Sequence, residues 1–124
     1  MKKIIQTKKA PAAIGPYSQA VEVNNTLYIS GQLPMDPETM NMPESVEEQA
    51  EQVMKNIGAI LKEAGYDYSH VVKSTIFLDD IKDFQKMNEV YGRYYQDDPP
   101  ARSAYEVANL PKGAKIEIET IAAK

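Results

Sequence analysis

Arg102 is the residue whose type and position point most directly to binding chemistry. It follows Pro99-Pro100-Ala101 at the start of a predicted strand, where a stiff turn can fix the base of its side chain. A planar guanidinium held in this way suits bidentate capture of a carboxylate. An ordinary surface arginine at a strand end has the same sequence context, so position alone leaves both interpretations open.

Two glutamates share one face of the last predicted strand. Glu117 and Glu119 alternate there with isoleucines, and successive side chains of a strand point to opposite faces. Carboxylates on a face that is expected to be buried need ionic partners or a chemical role. The alternative is that at least one of them points to solvent or pairs with a lysine.

Further candidate residues lie in turns and on a helix. Segment 11–18 is rich in proline and small residues and predicts a shaped loop that presents Tyr17. Ser30 and Gly31 end a strand, where glycine lets a ligand approach backbone N–H groups. Asn88 lies beside the apolar stripe of a predicted helix. Ordinary turns and an exposed helix position are the alternatives for these residues.

Composition excludes several kinds of chemistry. The chain has no cysteine and one histidine, His70, which removes thiol chemistry and leaves too few ligands for the usual zinc sites. No phosphate-binding glycine loop or dinucleotide fingerprint occurs, so we expect neither a metal nor a cofactor. With 14 Lys and Arg against 18 Asp and Glu, the net charge of -4 argues against a nucleic-acid partner and favours a small molecule.

The chain length and the hydropathy pattern bound the overall architecture. The 124 residues, 43% of them hydrophobic, suit one domain spanning residues 1–124. No apolar run approaches the roughly 18 residues of a membrane span, and the amino terminus becomes polar too early for a signal peptide. We therefore expect a soluble, cytoplasmic protein without a membrane partner.

The elements that must position these residues follow the order ββ, α, β, α, ββ. Ser45 opens a capping box before the first helix, and Asp80 precedes the second. Helices between strands imply parallel crossovers, while the first two and the last two strands should pair antiparallel. This predicts a mixed α+β sheet with two helices on one face. The predicted elements are 20–23, 26–30, 46–64, 71–78, a helix from residue 80 to about 95, 102–107 and 115–122.

The strand at 71–78 carries apolar side chains toward both faces of the sheet. Two helices can cover one face, and the sequence predicts no third helix for the other. The simplest cover is another copy of the chain, so the strand pattern predicts a homo-oligomer. A chain of this size also has few side chains for lining a pocket, so a complete site would draw on a second subunit.

Six short segments occur in a specific order and spacing between residues 10 and 122. They are 10–19 (APAAIGPYSQ), 30–34 (SGQLP), 88–91 (NEVY), 100–103 (PARS), 107–112 (VANLPK) and 116–119 (IEIE). Each is a weak signal alone. Together they resemble the Rid family, the reactive-intermediate (enamine/imine) deaminases of the RidA (YjgF) type.

The resemblance implies a chorismate-mutase-like α+β fold and a homotrimer with clefts between subunits. It also implies a hydrolase for C–N bonds, a 2-iminobutanoate/2-iminopropanoate deaminase that needs no cofactor. Such an enzyme converts reactive enamine/imine intermediates of amino acid metabolism to 2-keto acids and ammonia. Pyridoxal-phosphate-dependent serine and threonine dehydratases release these compounds, and their hydrolysis protects other enzymes from attack.

The resemblance also implies roles for individual residues. Arg102 would anchor the substrate carboxylate, and Glu117 would orient the attacking water. Ala104 departs from the family pattern, because many relatives have a cysteine there, so thiol-dependent behaviour is excluded while attack by water is not. The positions that would bind the substrate are Tyr17, Ser30, Gly31, Asn88, Arg102 and Ala104.

Two other functions are compatible with the same sequence. A binding or regulatory protein could use the cleft for keto acids or other small carboxylates without strong catalysis. RNA cleavage or translation inhibition is ascribed to some relatives, but the acidic charge balance and the lone His70 count against it.

Overall fold

The computed structural model describes residues 1–124 as one six-stranded sheet with two α-helices. The bounds are β1 Lys3–Ile5, β2 Ala20–Val23, β3 Thr26–Gln32, α1 Val46–Glu63, β4 Val71–Leu78, α2 Phe84–Tyr94, β5 Ala101–Glu106 and β6 Ile116–Ala123. Along the sheet the strand order is β1-β2-β3-β6-β4-β5. β4 and β5 run parallel, and the other neighbouring pairs are antiparallel. The expected mixed α+β class is confirmed.

The last two strands do not pair with each other, so that expectation is wrong. β6 lies between β3 and β4, and β5 pairs with β4 at the edge of the sheet. Four alternate residues of β6 are buried, which suits a central strand: Ile116, Ile118, Thr120 and Ala122. β5 contains no buried residue, so its position at the edge of the sheet leaves little apolar surface exposed that a central position would bury.

The first strand, β1, is not predicted from the sequence. Three residues are too few for a periodic signal, and the lysines around them suggest only a solvated end. Lys2 and Lys3 are indeed exposed, but Ile5 is buried at 4% exposure, and β1 pairs antiparallel with β2. The amino-terminal segment is therefore part of the sheet.

Only the first helix begins at the capped position that the sequence predicts, and α2 has no side-chain cap of its own. Ser45 Oγ accepts a hydrogen bond from the Glu48 backbone N–H at 3.1 Å and donates one to Glu48 Oε1 at 3.0 Å. Asp80 accepts from the Lys82 N–H at 2.9 Å and so caps a short 3-10 turn, and α2 starts only at Phe84. Neither helix is long and apolar enough to span a membrane.

Both helices pack on the same face of the sheet. Ile76, Leu78, Ile116 and Ile118 point into this layer and are at most 1% exposed. We call the opposite face the open face, because its large side chains remain accessible, with Tyr105 53% exposed. The open face comprises Tyr28, Lys73, Thr75, Phe77, Ser103, Tyr105, Glu117, Glu119 and Ile121.

Candidate active site

A cleft of about 640 Å³ lies beside β3 and β6 on the open face. Its walls come from the loop before β2, the end of β3, the loop before α1 and the turn before β6. Four of the predicted site residues line it together: Tyr17, Ser30, Gly31 and Glu117. Ile14, Leu33, Met35 and Met40 make much of the remaining wall apolar.

Gly31 and Glu117 are in direct contact across the cleft floor. A Cβ atom at position 31 would lie 2.9 Å from Cδ of Glu117 and would collide with its carboxylate oxygen. Only glycine therefore leaves room for the carboxylate at this position. The sequence suggests close approach of a ligand at Gly31, and the structure shows that the approaching group is the Glu117 side chain.

Glu117 is half-buried, and its environment disfavours the charged carboxylate. Burial raises the pKa of Glu117 above its usual value, and the neighbouring negative charge of Glu119 raises the pKa further. Glu119 is exposed on the same face, so it repels the Glu117 carboxylate without offering it a hydrogen bond. A carboxylate whose pKa is raised is a stronger proton acceptor than an ordinary one, and this suits it to general base catalysis.

The loop that carries Tyr17 is held by two side chains. Gln19 is buried, accepts a hydrogen bond from the Thr7 N–H at 2.7 Å and donates to the Pro11 carbonyl at 2.8 Å. Ser30 Oγ donates to the Ser18 carbonyl at 2.6 Å. Tyr17 itself is 53% exposed at the cleft. Sequence reasoning missed Gln19, although a glutamine beside a proline-rich segment is a candidate for bonding its backbone.

The Ser30 backbone N–H is not available to a ligand. It donates to the Gln19 carbonyl at 2.9 Å, so the prediction that this strand end exposes its N–H groups is wrong at Ser30. The hydroxyl and the N–H of Ser30 both fasten the loop to β3. The residue therefore lines the cleft and also shapes it.

Arg102 is held by three residues of α2. Its Nη1 donates to Asn88 Oδ1 at 2.6 Å. Its guanidinium carbon lies 5.4 Å from the centre of the Phe84 ring and 5.3 Å from that of Tyr91, within the range of cation–π attraction. The guanidinium remains exposed. These contacts pre-orient an anion-binding group that solvent and ligands can reach.

Phe84, Asn88 and Tyr91 follow the i, i+4, i+7 spacing of one helix face. The family resemblance places Asn88 in the pocket, whereas the sequence pattern places Phe84 and Tyr91 on the apolar stripe of the predicted helix. The spacing of all three on one stripe is the signal that could have shown them to be a single support for Arg102.

Ala104 belongs to the Arg102 side of the sheet. It pairs with Ile76 of β4, and it is partly buried against the apolar core. Arg102 pairs with Ser74, which is also buried beneath the helices. Alternation along β5 therefore directs Arg102 and Ala104 to the helix-covered side.

The predicted site residues form two groups on opposite sides of the sheet. Glu117 pairs with Phe77 on the open face, and Tyr17, Ser30 and Gly31 lie around it. Arg102, Asn88 and Ala104 lie on the helix side and do not line the cleft. One chain thus holds an anion-binding group and a half-buried carboxylate, but it does not bring them into one pocket.

No group of three or more His, Cys, Asp or Glu side chains is arranged to hold a metal ion. His70 Nδ1 accepts a hydrogen bond from the Asp67 N–H at 3.0 Å and is part of a turn. The chemistry that the described side chains offer is carboxylate binding by a guanidinium and proton transfer by a carboxyl group.

Comparison with known proteins places these features in a family. The family model described as Endoribonuclease L-PSP matches residues 7–124. The 2-iminobutanoate/2-iminopropanoate deaminase of Bos taurus is 58% identical over 123 residues, which cover 98% of this chain and 90% of the relative.

Solved structures agree with the sequence match. The crystal structure of a Rid-family protein from Yersinia pestis has a TM-score of 0.98 at 48% identity and covers 100% of both chains. That of E. coli TdcF with bound serine has a TM-score of 0.95 at 42% identity and covers 98% of both chains. The resemblance predicted from the six sequence segments is confirmed, and the chain belongs to the Endoribonuclease L-PSP family, which includes the Rid proteins.

Proposed function

We propose that this protein is a 2-iminobutanoate/2-iminopropanoate deaminase, which hydrolyses 2-imino acids to 2-keto acids and ammonia. Curated mammalian relatives at 54–58% identity over nearly the whole chain bear this name. The structural observation that carries the proposal is the guanidinium of Arg102, which α2 holds ready for a small carboxylate. Glu117 supplies the proton-transferring group that hydrolysis needs.

We further propose that the complete site forms between subunits of a homotrimer. Arg102 and Glu117 lie on opposite sides of one sheet, so a shared pocket needs the cleft of one copy to meet the Arg102 side of the next. Such a contact joins two different surfaces, and it closes into a ring of three when each copy is rotated by a third of a turn from the next. Burial of the exposed Tyr28 and Tyr105 on the open face would favour assembly. The mass in solution should be three times the 13.9 kDa of the chain.

In the proposed reaction, Arg102 binds the substrate carboxylate, and an enamine first takes a proton from solvent at C3 to become the iminium. Glu117 accepts a proton from water while the water oxygen bonds to C2. Glu117 then returns this proton to the nitrogen of the carbinolamine. The C–N bond breaks and expels ammonia, and the hydroxyl proton passes to this ammonia, which leaves the keto group and ammonium. Attack by water requires no covalent enzyme intermediate, so alanine at position 104 is compatible with turnover.

The substrates decay in water, so the enzyme must share a compartment with the dehydratase that releases them. We therefore propose a cytoplasmic location, where pyridoxal-phosphate-dependent dehydratases of amino acid metabolism would supply the imino acids. Tyr17, Ser30, Gly31, Asn88 and Ala104 would line the substrate pocket around the two reacting groups.

A coupled assay with threonine dehydratase tests the proposal. Wild-type protein should accelerate formation of 2-ketobutanoate, and Arg102→Ala should lower kcat/KM at least about a hundredfold while the fold is retained, because the substrate loses its carboxylate anchor. Arg93→Ala is the matched control, since Arg93 is the other arginine of the chain and pairs with Glu51 at 3.7 Å on the surface. Full activity of Arg102→Ala would overturn the assignment of Arg102.

The alternative is a protein that binds small carboxylates without catalysis. The relative TdcF has been crystallised with bound serine, and the Arg102 group suits such a ligand. Tight binding of 2-ketobutanoate, together with imine decay at the uncatalysed rate, would favour this alternative over the deaminase.

A further inference from the structure

Four buried hydroxyl groups lie between α2 and the sheet without a hydrogen-bond partner. They are Ser74 Oγ, Tyr91 Oη, Tyr95 Oη and Thr120 Oγ1. The four residues are 0%, 6%, 7% and 1% exposed. Buried polar groups in proteins are almost always paired, so a group of four unpaired hydroxyls calls for an explanation.

The four hydroxyls converge on one place. Ser74 and Thr120 are directly paired on β4 and β6 and both point toward the helices. The Tyr91 and Tyr95 rings lie 4.7 Å apart on successive turns of α2. Burial raises the pKa of both tyrosines, and the Ser74 hydroxyl, which lies near enough to hydrogen-bond either phenol once it is aligned, lowers each pKa in part. None of the four oxygens nevertheless has a partner in hydrogen-bond geometry.

A bound water molecule can supply the hydrogen bonds that these four hydroxyls do not make with one another. One buried water molecule typically makes about three hydrogen bonds and can use two donors and two acceptors. Four hydroxyls around one point supply the polar partners that an internal water requires. An apolar site would remain dry, but the groups that meet here are hydroxyls.

We propose that Ser74, Tyr91, Tyr95 and Thr120 enclose an internal hydration site that binds one or two water molecules and fixes the Tyr91 ring beneath Arg102. Arg102 is the register partner of Ser74 on the neighbouring strand. Its guanidinium packs on the Tyr91 ring at 5.3 Å. The hydration site therefore lies directly behind the carboxylate anchor, and Tyr91 is a positioning residue. This second part rests on the proposed role of Arg102.

A crystal structure of the full chain tests the hydration site directly. Ordered water within hydrogen-bond distance of at least three of the four hydroxyls supports the site. Density that shows the hydroxyls bonded only to one another, with no water among them, overturns it. This result does not depend on the activity of the protein.

Thermal unfolding of single-hydroxyl variants gives a second test. With water bound, Tyr95→Phe and Thr120→Val each leave that water one partner short and should lower Tm by about 3 °C or more. Without water, each change removes an unpaired buried group, so Tm should rise, and a rise overturns the proposal. Tyr94→Phe is the matched control, because Tyr94 lies on the same helix but is only partly buried and keeps no unpaired hydroxyl.

Ligand affinity tests the link to Arg102. Tyr95 does not pack on the guanidinium, yet Tyr95→Phe should raise the KM for the imino acid and the Kd for 2-ketobutanoate about threefold or more, with kcat within about twofold. A purely structural hydration site would leave these constants unchanged, and that result overturns the positioning role. If the wild-type protein neither binds keto acids nor hydrolyses imines, the proposed function fails, while diffraction and Tm still decide the hydration site.

Discussion

At the scale of single residues, the proposed reaction depends on how Glu117 is held. Its carboxylate occupies the space that a side chain at position 31 would need, and burial next to Glu119 raises its pKa. Packing sets where the carboxylate lies, and its surroundings set when it carries a proton. Both properties can be changed without altering Glu117 itself.

Gly31→Ala tests the packing. The added methyl group meets the Glu117 carboxylate, which must move, so kcat/KM should fall about tenfold or more, because a displaced group no longer aligns the attacking water. Gly92→Ala is the control. A Cβ atom at position 92 meets nothing within 4 Å, and alanine favours the helix, so activity should be unchanged. Equal activity of the two variants would contradict the contact between Gly31 and Glu117.

Glu119→Gln tests the electrostatics. Glu117 must be ionised to accept a proton from water, so kcat/KM should fall as pH drops through its raised pKa. Replacing Glu119 removes a negative charge that raises this pKa, so the acidic limb of the pH–rate profile should move to lower pH.

The exposed Glu63 at the end of α1 provides the control for this change. Glu63→Gln should leave the acidic limb of the profile where it is in the wild type. A limb that moves to higher pH in Glu119→Gln, or does not move, would show that Glu117 is not the group that titrates.

At the scale of elements, the loop before β2 is shaped by one buried side chain. Gln19 bonds the backbone at Thr7 and Pro11, and this fixes the path on which Tyr17 reaches the cleft. Gln19→Leu removes these bonds and leaves buried backbone groups unpaired, so the free energy of unfolding should fall by about 1–3 kcal/mol. Chemical denaturation measures this change.

The exposed Gln6 is the control for Gln19. Gln6→Leu should change the unfolding free energy by less than about 0.5 kcal/mol. Activity gives a second readout, since Gln19→Leu should also raise KM by displacing Tyr17. Unfolding curves of Gln19→Leu that match the wild type would mean that the loop is held by other contacts.

The sequence predicted both helices and five of the six strands, but it predicted the type of each element more accurately than the way in which the strands pair. Periodicity and the Ser45 cap located α1, and alternation placed Glu117 and Glu119 on one face. The pairing of β6 with β3 and β4 depends on contacts distant in the chain, which local patterns do not contain. β1 has too few residues to show a period, and its inclusion depends on pairing with β2.

The sequence predicted which residues belong to the candidate site, but it did not predict where they lie relative to one another. Four of the site residues have charged or hydrogen-bonding side chains and lie in the family segments: Arg102, Glu117, Tyr17 and Asn88. The division between the two sides of the sheet follows from the register of β4 with β5 and β6, which no local pattern specifies. The supporting residues Gln19 and Phe84 were missed because their local sequence signals are weak and their roles depend on tertiary contacts.

At the scale of the whole molecule, charge and topology limit the possible partners. The net charge is -4, and the cleft contains Glu117 and Glu119 with Lys112 as its one cationic side chain. This surface suits the proposed assembly, in which Arg102 of another copy would bind the carboxylate of a small substrate. It does not suit a nucleic-acid backbone, whose binding relies on clustered positive charge.

The measurement that tests the shared site most directly is complementation between two inactive variants. Arg102→Ala and Glu117→Gln subunits are co-assembled in equal amounts, and imine hydrolysis is compared with each variant alone. A site that takes Arg102 from one subunit and Glu117 from its neighbour is intact in one of four random pairings, so about a quarter of wild-type activity should return. Co-assembly of Arg102→Ala with the double variant should restore none. Activity of the mixture no higher than that of the separate variants would contradict a site shared between subunits.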